Sequence, residues 1–328
     1  MKITYTSWPL PVFGLLGLFV FCSFTVLEGP AAEMVGPSGT IVFPHAGDIY
    51  KYNLAEQTIA LIAERKGRQG PFFSPDGTWF TTNNWSGSNE GVAVWSLAEA
   101  TIQKEFYLKN TLISDDKGVK VASGGKLFSG IINTPAGENP DFVVMDERGV
   151  IKWRMDGDGI RTKGHVWDAS QQLYLTGEVL RGKTKGTKFL IKIPDWRNPQ
   201  IEVIRTFSCA YLDLPDELAV SPDGNQIAYA FKKNIWVGSI SHLATDHKAR
   251  FKALKTLGRP VFSPGGKYLA FAMLNSSHSL RGDIHVAEIP EVGTTTLRED
   301  GPSLLPGPNS SLKSTWTSGA DSSMGWFE

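Results

Sequence analysis

The chain has 328 residues, enough for one large all-β domain or two ordinary ones, with 41% hydrophobic and 20% charged side chains. That balance excludes a disordered chain, and 33 basic against 33 acidic residues leave no global charge to hold nucleic acid. With 34 Gly, 19 Pro and 10 Trp, the composition suits many turns and aromatic-rich sheets.

Lys2 is the only charge before Glu28, and Leu10 to Phe21 is almost uninterruptedly apolar. With the small residues Gly29-Pro30-Ala31-Ala32 behind it, this segment predicts a secretory signal over residues 1–32, cleaved near Ala31 or Ala32. The same run is long enough for an uncleaved anchor, so membrane attachment is expected only through it. The expected location is outside the cytoplasm, periplasmic or secreted. A lipid anchor at Cys22 is disfavoured by the bulky Phe21 before it. Cleavage would leave Cys209 as the one thiol, so no internal disulfide is expected and Cys209 reads as a packed residue.

From Gly39 onward the pattern is short strands between turns, and one turn recurs. Phe73-Ser74-Pro75-Asp76-Gly77 returns as Val220-Ser221-Pro222-Asp223-Gly224 and as Phe262-Ser263-Pro264-Gly265-Gly266, each followed by an alternating apolar strand. Pro presets the first corner of such a turn and Gly accepts its positive φ. A second element recurs around Ile49, Val92, Phe142, Lys188, Ile235 and Ile284, at steps of 43, 50, 46, 47 and 49 residues. That period matches one four-stranded propeller blade.

In each unit the turn joins strands one and two, and the second element is strand three. Outer strands follow at Thr58–Ala63, Thr101–Phe106 and Ile201–Ile204. In the middle blades Ala122–Phe128 and Asp168–Tyr174 replace the turn motif. The first unit lacks an inner strand, because Gly39–Phe43 already reads as strand two. Ser314-Thr315-Trp316-Thr317 is the expected missing piece, while Ser323–Phe327 competes with residues 39–43 for the strand-two slot. The expected fold is all-β: a six-bladed propeller of four-stranded antiparallel blades over residues 39–328, closed by pairing the N- and C-terminal strands. Residues 298–311, rich in Pro, Gly and Ser, read as the linker into the closing strand.

The Ser-Pro-Asp-Gly turns, followed by a Gly/Asp-Ile-x-x-x-x-Leu/Ile strand, resemble the WD-like repeats of TolB-type six-bladed propellers. The resemblance covers residues 39–328 and implies an exported propeller with a binding face. It carries over no catalytic residue, because the shared motifs are turns and core strands. Neither the separate N-terminal α/β domain of TolB nor a peptidase domain behind the propeller is expected from these residues.

Propeller geometry places the two-to-three loops and the blade-to-blade connections on one face. Most long segments fall there: 83–91, 133–140, 176–186 and 274–282, with 109–117, 155–164 and 208–216 between blades. Loops on a rigid scaffold concentrate binding residues, so this face is the expected site. Its cations Arg68, Arg161, Lys163, Arg181, Lys183, Lys185 and Arg281 form a candidate basic rim, shared with Asp115, Asp116, Asp156, Asp158 and Glu138. His165 and Trp167 are the expected pair at the channel mouth, with His278 on the same side.

Asp156-Gly157-Asp158-Gly159 lacks the later ligands of an EF-hand and reads as a blade-to-blade turn. No nucleophile elbow, P-loop or dinucleotide fingerprint is present, and no two His have metal-ligand spacing on one element. No catalytic residue and no cofactor are assigned. The expected function is an exported, monomeric, non-enzymatic propeller that binds a protein or glycan partner in the cell envelope or outside, and no nucleic acid. The alternative is a metal-dependent propeller enzyme of lactonase or polysaccharide-lyase type. It requires three or more of His45, His165, Asp156, Asp158 and His278 to converge.

Overall fold

A computed structural model of the chain describes residues 37–45, 48–64, 69–86, 89–109, 112–113, 118–133, 139–231, 233–241, 248–253, 256–274, 282–297 and 324–327. The segment 1–32 expected to be a secretory signal, Ser314–Thr317 and the loop residues Arg68, Asp115, Asp116, Glu138, His278 and Arg281 lie outside them.

The described residues form a ring of six antiparallel blades. Blade one contains β1 (Thr40–His45), β2 (Asp48–Asn53) and β3 (Thr58–Glu64). Blade two is β4 (Gln69–Phe73), β5 (Trp79–Ser86), β6 (Asn89–Ser96) and β7 (Thr101–Lys109). Blade three has β8 (Leu112–Ile113) and β9 (Val119–Val121) side by side on β10 (Leu127–Asn133), then β11 (Asp141–Asp146) and β12 (Ile151–Met155). Blade four is β13 (Ile160–Trp167), β14 (Leu173–Val179), β15 (Lys188–Ile193) and β16 (Glu202–Phe207). Blade five is β17 (Leu218–Val220), β18 (Gln226–Phe231), β19 (Asn234–Ser239) and β20 (Lys248–Lys252). Blade six is β21 (Thr256–Phe262), β22 (Tyr268–Leu274) and β23 (Gly282–Glu288). The next strand, β24 (Thr295–Thr296), leaves blade six and pairs parallel with β20.

Ring closure differs in one detail from the expectation. The last strand, β25 (Gly325–Phe327), fills the inner slot of blade one, pairing Thr40 with Phe327 and Val42 with Gly325. Residues 40–45 are strand two, so the final residues do not compete for that place. The reason is side-chain alternation. Trp326 is 4% exposed and packs with Ile41, Phe43 and blade six, and its indole N–H donates to the Ser38 carbonyl at 2.8 Å. Phe327 points the other way, its ring 5.5 Å from that of Phe73 in blade two. One short strand thereby supplies a large aromatic to each neighbouring blade.

The recurrent turns share one closure. The backbone N–H of Ser74, Ala122, Asp168, Ser221 and Ser263 donates to the carbonyl of Trp79, Leu127, Gln172, Gln226 and Tyr268, at 2.8–3.0 Å. The middle turns therefore keep the geometry after losing the motif. In the three motif copies the Ser hydroxyl also accepts the N–H five residues on, from Trp79 at 3.0 Å, Gln226 at 2.9 Å and Tyr268 at 3.0 Å. Asp76 adds a link between blades, accepting the Gly124 N–H at 2.9 Å.

Among the described residues the buried apolar side chains collect in six clusters, one at each junction of successive blades. Strand alternation produces this: in β11, Phe142 and Val144 face blade four while Val143 and Met145 face blade two. The expected long loop at 83–91 is instead a ladder continued to Ser86↔Asn89.

Gly77, Gly224 and Gly266 have nearly the same φ, +70°, +72° and +71°. A methyl group at Gly77 would overlap the Phe327 ring, whereas nothing lies within 4 Å of one at Gly224 or Gly266. Gly77→Ala should therefore lose the shared cost of positive φ plus about 1–3 kcal/mol of overpacking. Urea denaturation of the three Ala variants checks this, and equal losses would contradict the closure described.

Candidate functional site

The described part of the long-loop face centres on β13 and the connection from β16 to β17. A short 3-10 turn at Tyr211–Asp213 lies in that connection. The connection is fastened to its neighbours along its length. Tyr211 Oη donates to the Thr162 carbonyl at 3.1 Å, Lys163 Nζ donates to the Leu212 carbonyl, and the Thr176 hydroxyl donates to the Pro215 carbonyl. A Cβ on Gly164 would lie within 2.7 Å of the Asp216 backbone, so only glycine lets the two segments cross there. At the far end Arg259, 5% exposed, donates from Nε to Glu217 at 3.0 Å.

Arg161 is the hinge of this arrangement. Its guanidinium lies 3.6 Å from the centre of the Tyr211 ring and donates to Glu178 at 3.0 Å. Glu178 also pairs with Lys188 at 3.1 Å. Burial pushes the Glu178 carboxyl up, but hydrogen bonds and charge from Lys188 and Arg161 outweigh it and hold the group below its ordinary range. Beyond this cluster Leu212 stands 81% exposed.

The other predicted site residues divide by place. Arg181 reaches Asp158 at 3.4 Å while staying 68% exposed, and Lys183 is exposed on the same loop. His165 and Trp167 do not form a polar pair at the mouth. They end β13 rather than begin it, and side chains two apart on a strand point sideways into the neighbouring blade. His165 is fully buried, edge-on to Phe142 at 5.2 Å. Trp167, 2% exposed, lies in the cluster shared by blades three and four. Asp156 accepts the Asp158 N–H at 3.0 Å and Asp158 accepts from Asn139 at 3.1 Å, so this stretch is a closed turn between blades. Among the described residues no three His, Cys, Asp or Glu side chains are grouped to hold a metal.

Two features escaped the sequence reading. Tyr211 and Leu212 gave a usable signal, an aromatic–apolar pair inside a loop before Pro215. The second is an axial cavity of about 130 Å³ at the short-turn end of the channel. Inner-strand ends of all six blades line it, among them Phe73, Lys120, Val166, Val220, Val261 and Trp326. Lys120, in its wall, donates to the His165 carbonyl of the adjacent blade at 2.5 Å.

The ion pairs of Glu178 carry a pH signature. Its stabilising contribution is complete above the unfolded carboxyl value of about 4.3 and is lost as pH falls through the lower folded value. Glu178→Gln should thus be less stable than the native chain at neutral pH, with the gap narrowing at a pH below the unfolded carboxyl value. Urea midpoints at the two pH values measure it.

No family model and no curated protein matches the chain. Solved structures do. TolB from Acinetobacter baumannii aligns with a TM-score of 0.53 at 16% identity, over 76% of this chain and 61% of that one. TolB from Agrobacterium tumefaciens gives 0.50 at 13%, over 77% and 85%. Hydrazine synthase from Kuenenia stuttgartiensis gives 0.50 at 12%, over 74% and 89%. The chain thus spans about six-tenths of the length of the Acinetobacter TolB. Likeness at this identity concerns architecture, and the same architecture serves an enzyme in one of these proteins. The chain has the fold of the TolB-like six-bladed β-propellers.

Proposed function

We propose that the chain is an exported, non-catalytic propeller that binds a macromolecular partner, protein or glycan, through its long-loop face. The observation that carries this reading is Leu212, 81% exposed on a connection that is otherwise fastened down. A mobile loop can bury such a side chain by moving; this one is held outward. Covering a leucine of this kind with a partner is worth about 1.5–3 kcal/mol. Arg161 and Lys163, both tied to this connection, supply polar groups of the sort found at the rim of interface anchors, and Arg181 and Lys183 are exposed on the β14–β15 loop of the same blade.

Export rests on the basic-then-apolar start, Lys2 followed by Leu10–Phe21. No helix among the described residues is long and apolar enough to cross a membrane. Cell fractionation of the full chain should recover a protein outside the cytoplasm whose first residue lies near Glu33, read by mass spectrometry.

The binding face is tested with a photo-crosslinking amino acid at Leu212 and, separately, at Lys126 on the short-turn face. Crosslinked species in the producing organism are expected from position 212 and not from 126. Crosslinks from 126 alone, or from neither, would remove the long-loop face as the binding surface.

A further inference from the structure

We propose that this face recognises an acidic polypeptide stretch carrying apolar side chains, an inference that rests on the binding role proposed above. The loop from β14 to β15 runs from Leu180 to Thr187 and contains Arg181, Lys183 and Lys185 with no acidic residue. All three are exposed. The loop is a fixed platform for them. The Gly186 N–H donates to the Val179 carbonyl at 2.8 Å, the Leu180 N–H to Gly159 at 2.9 Å and the Thr187 N–H to Thr184 at 3.0 Å. Gly182 and Gly186 both sit at φ +85°, which lets the loop turn this tightly.

Internal acids consume only part of this charge. Lys188 and Arg161 share Glu178, and Arg181 touches Asp158. Lys183 and Lys185 form no ion pair among the described residues. In a chain of zero formal net charge, the loop Leu180–Thr187 is a local positive excess rather than the spill-over of a basic protein, with Asp156 and Asp213 the exposed acids on the adjoining segments. An anionic occupant complements it.

The class of anion follows from the apolar and aromatic groups on the other flank of Arg161. Sugars are held by stacking on bare aromatic faces. One face of Tyr211 is already covered by the Arg161 guanidinium at 3.6 Å. The group left bare is Leu212, which suits aliphatic or aromatic side chains of a polypeptide.

The test is fluorescence anisotropy of the mature chain with a labelled copolymer of glutamate and tyrosine, against labelled heparin, over a salt series. Both probes are run with the native chain, with Lys183→Glu/Lys185→Glu and with Leu212→Ser. The copolymer should bind more tightly than heparin. The double charge reversal should weaken it by about tenfold and flatten its salt dependence, and Leu212→Ser by about fivefold with the salt slope kept. These positions are on the surface, and thermal melts verify that each variant is folded. Tighter binding of heparin would transfer the site to an anionic glycan and overturn the proposal. So would absence of copolymer binding, or copolymer binding indifferent to both changes. Crosslinks from position 212 alongside such a result would preserve the binding role and remove only the acidic peptide; no crosslinks would remove both.

Discussion

In this ring every blade is a sheet with two apolar faces, and neither face is buried until a neighbour stands against it. The six apolar clusters lie between blades rather than within them. Stability is therefore shared around the circle, and blade one depends on the three residues of β25. Trp326 completes its junction with blade six, and Phe327 completes its junction with blade two. A strand this short holds its place through those two aromatics more than through its ladder. Opening it would expose sheet edges as well as two apolar faces.

The short-turn face spends its polar groups on itself. The carboxyls of Asp76 and Asp223 are pushed up by burial, but hydrogen bonds from Ser74, Gly124 and Thr78, or from Ser221 and Asn225, outweigh that and hold both low. At the corresponding turn of blade four, Asp168 replaces the serine, and there burial wins and raises its carboxyl. Tyr174, buried beside it, is raised in turn by burial and by the Asp168 charge. Each arrangement closes a turn and offers little to a partner. The long-loop face has the opposite economy, with Lys183, Lys185 and Leu212 projecting from backbone that is already satisfied.

The sequence made the blades legible because period and turn chemistry repeat, and repetition separates a structural requirement from chance. Strand three could be placed in every blade, even where Ala122 or Asp168 had displaced the serine. Closure was harder. Trp316 and Trp326 both offer an aromatic near the C-terminus, and only the register against Thr40–Val42 decides between them. His165 and Trp167 misled for a related reason. Polar and aromatic residues at the end of an inner strand suggest an axial site, but whether a side chain points sideways or inward depends on the bulge between Thr162 and Gly164. The pinning of Tyr211 and Leu212 involves residues about 49 positions away, a relation no local pattern encodes.

Rigidity is what joins this architecture to the binding role proposed for it. Association costs about 0.5–1.5 kcal/mol for each side chain that must be immobilised, in addition to the ordering of loops. Folding already meets much of that cost here. The connection carrying Leu212 is tied to blade four through Thr162, Lys163 and Thr176 and to blade six through Arg259. Arg161 couples it to Glu178 at the base of the cationic loop. The anchor and the charges thus belong to one braced unit, so the partner proposed to engage Leu212 would not have to order the connection or the cationic loop.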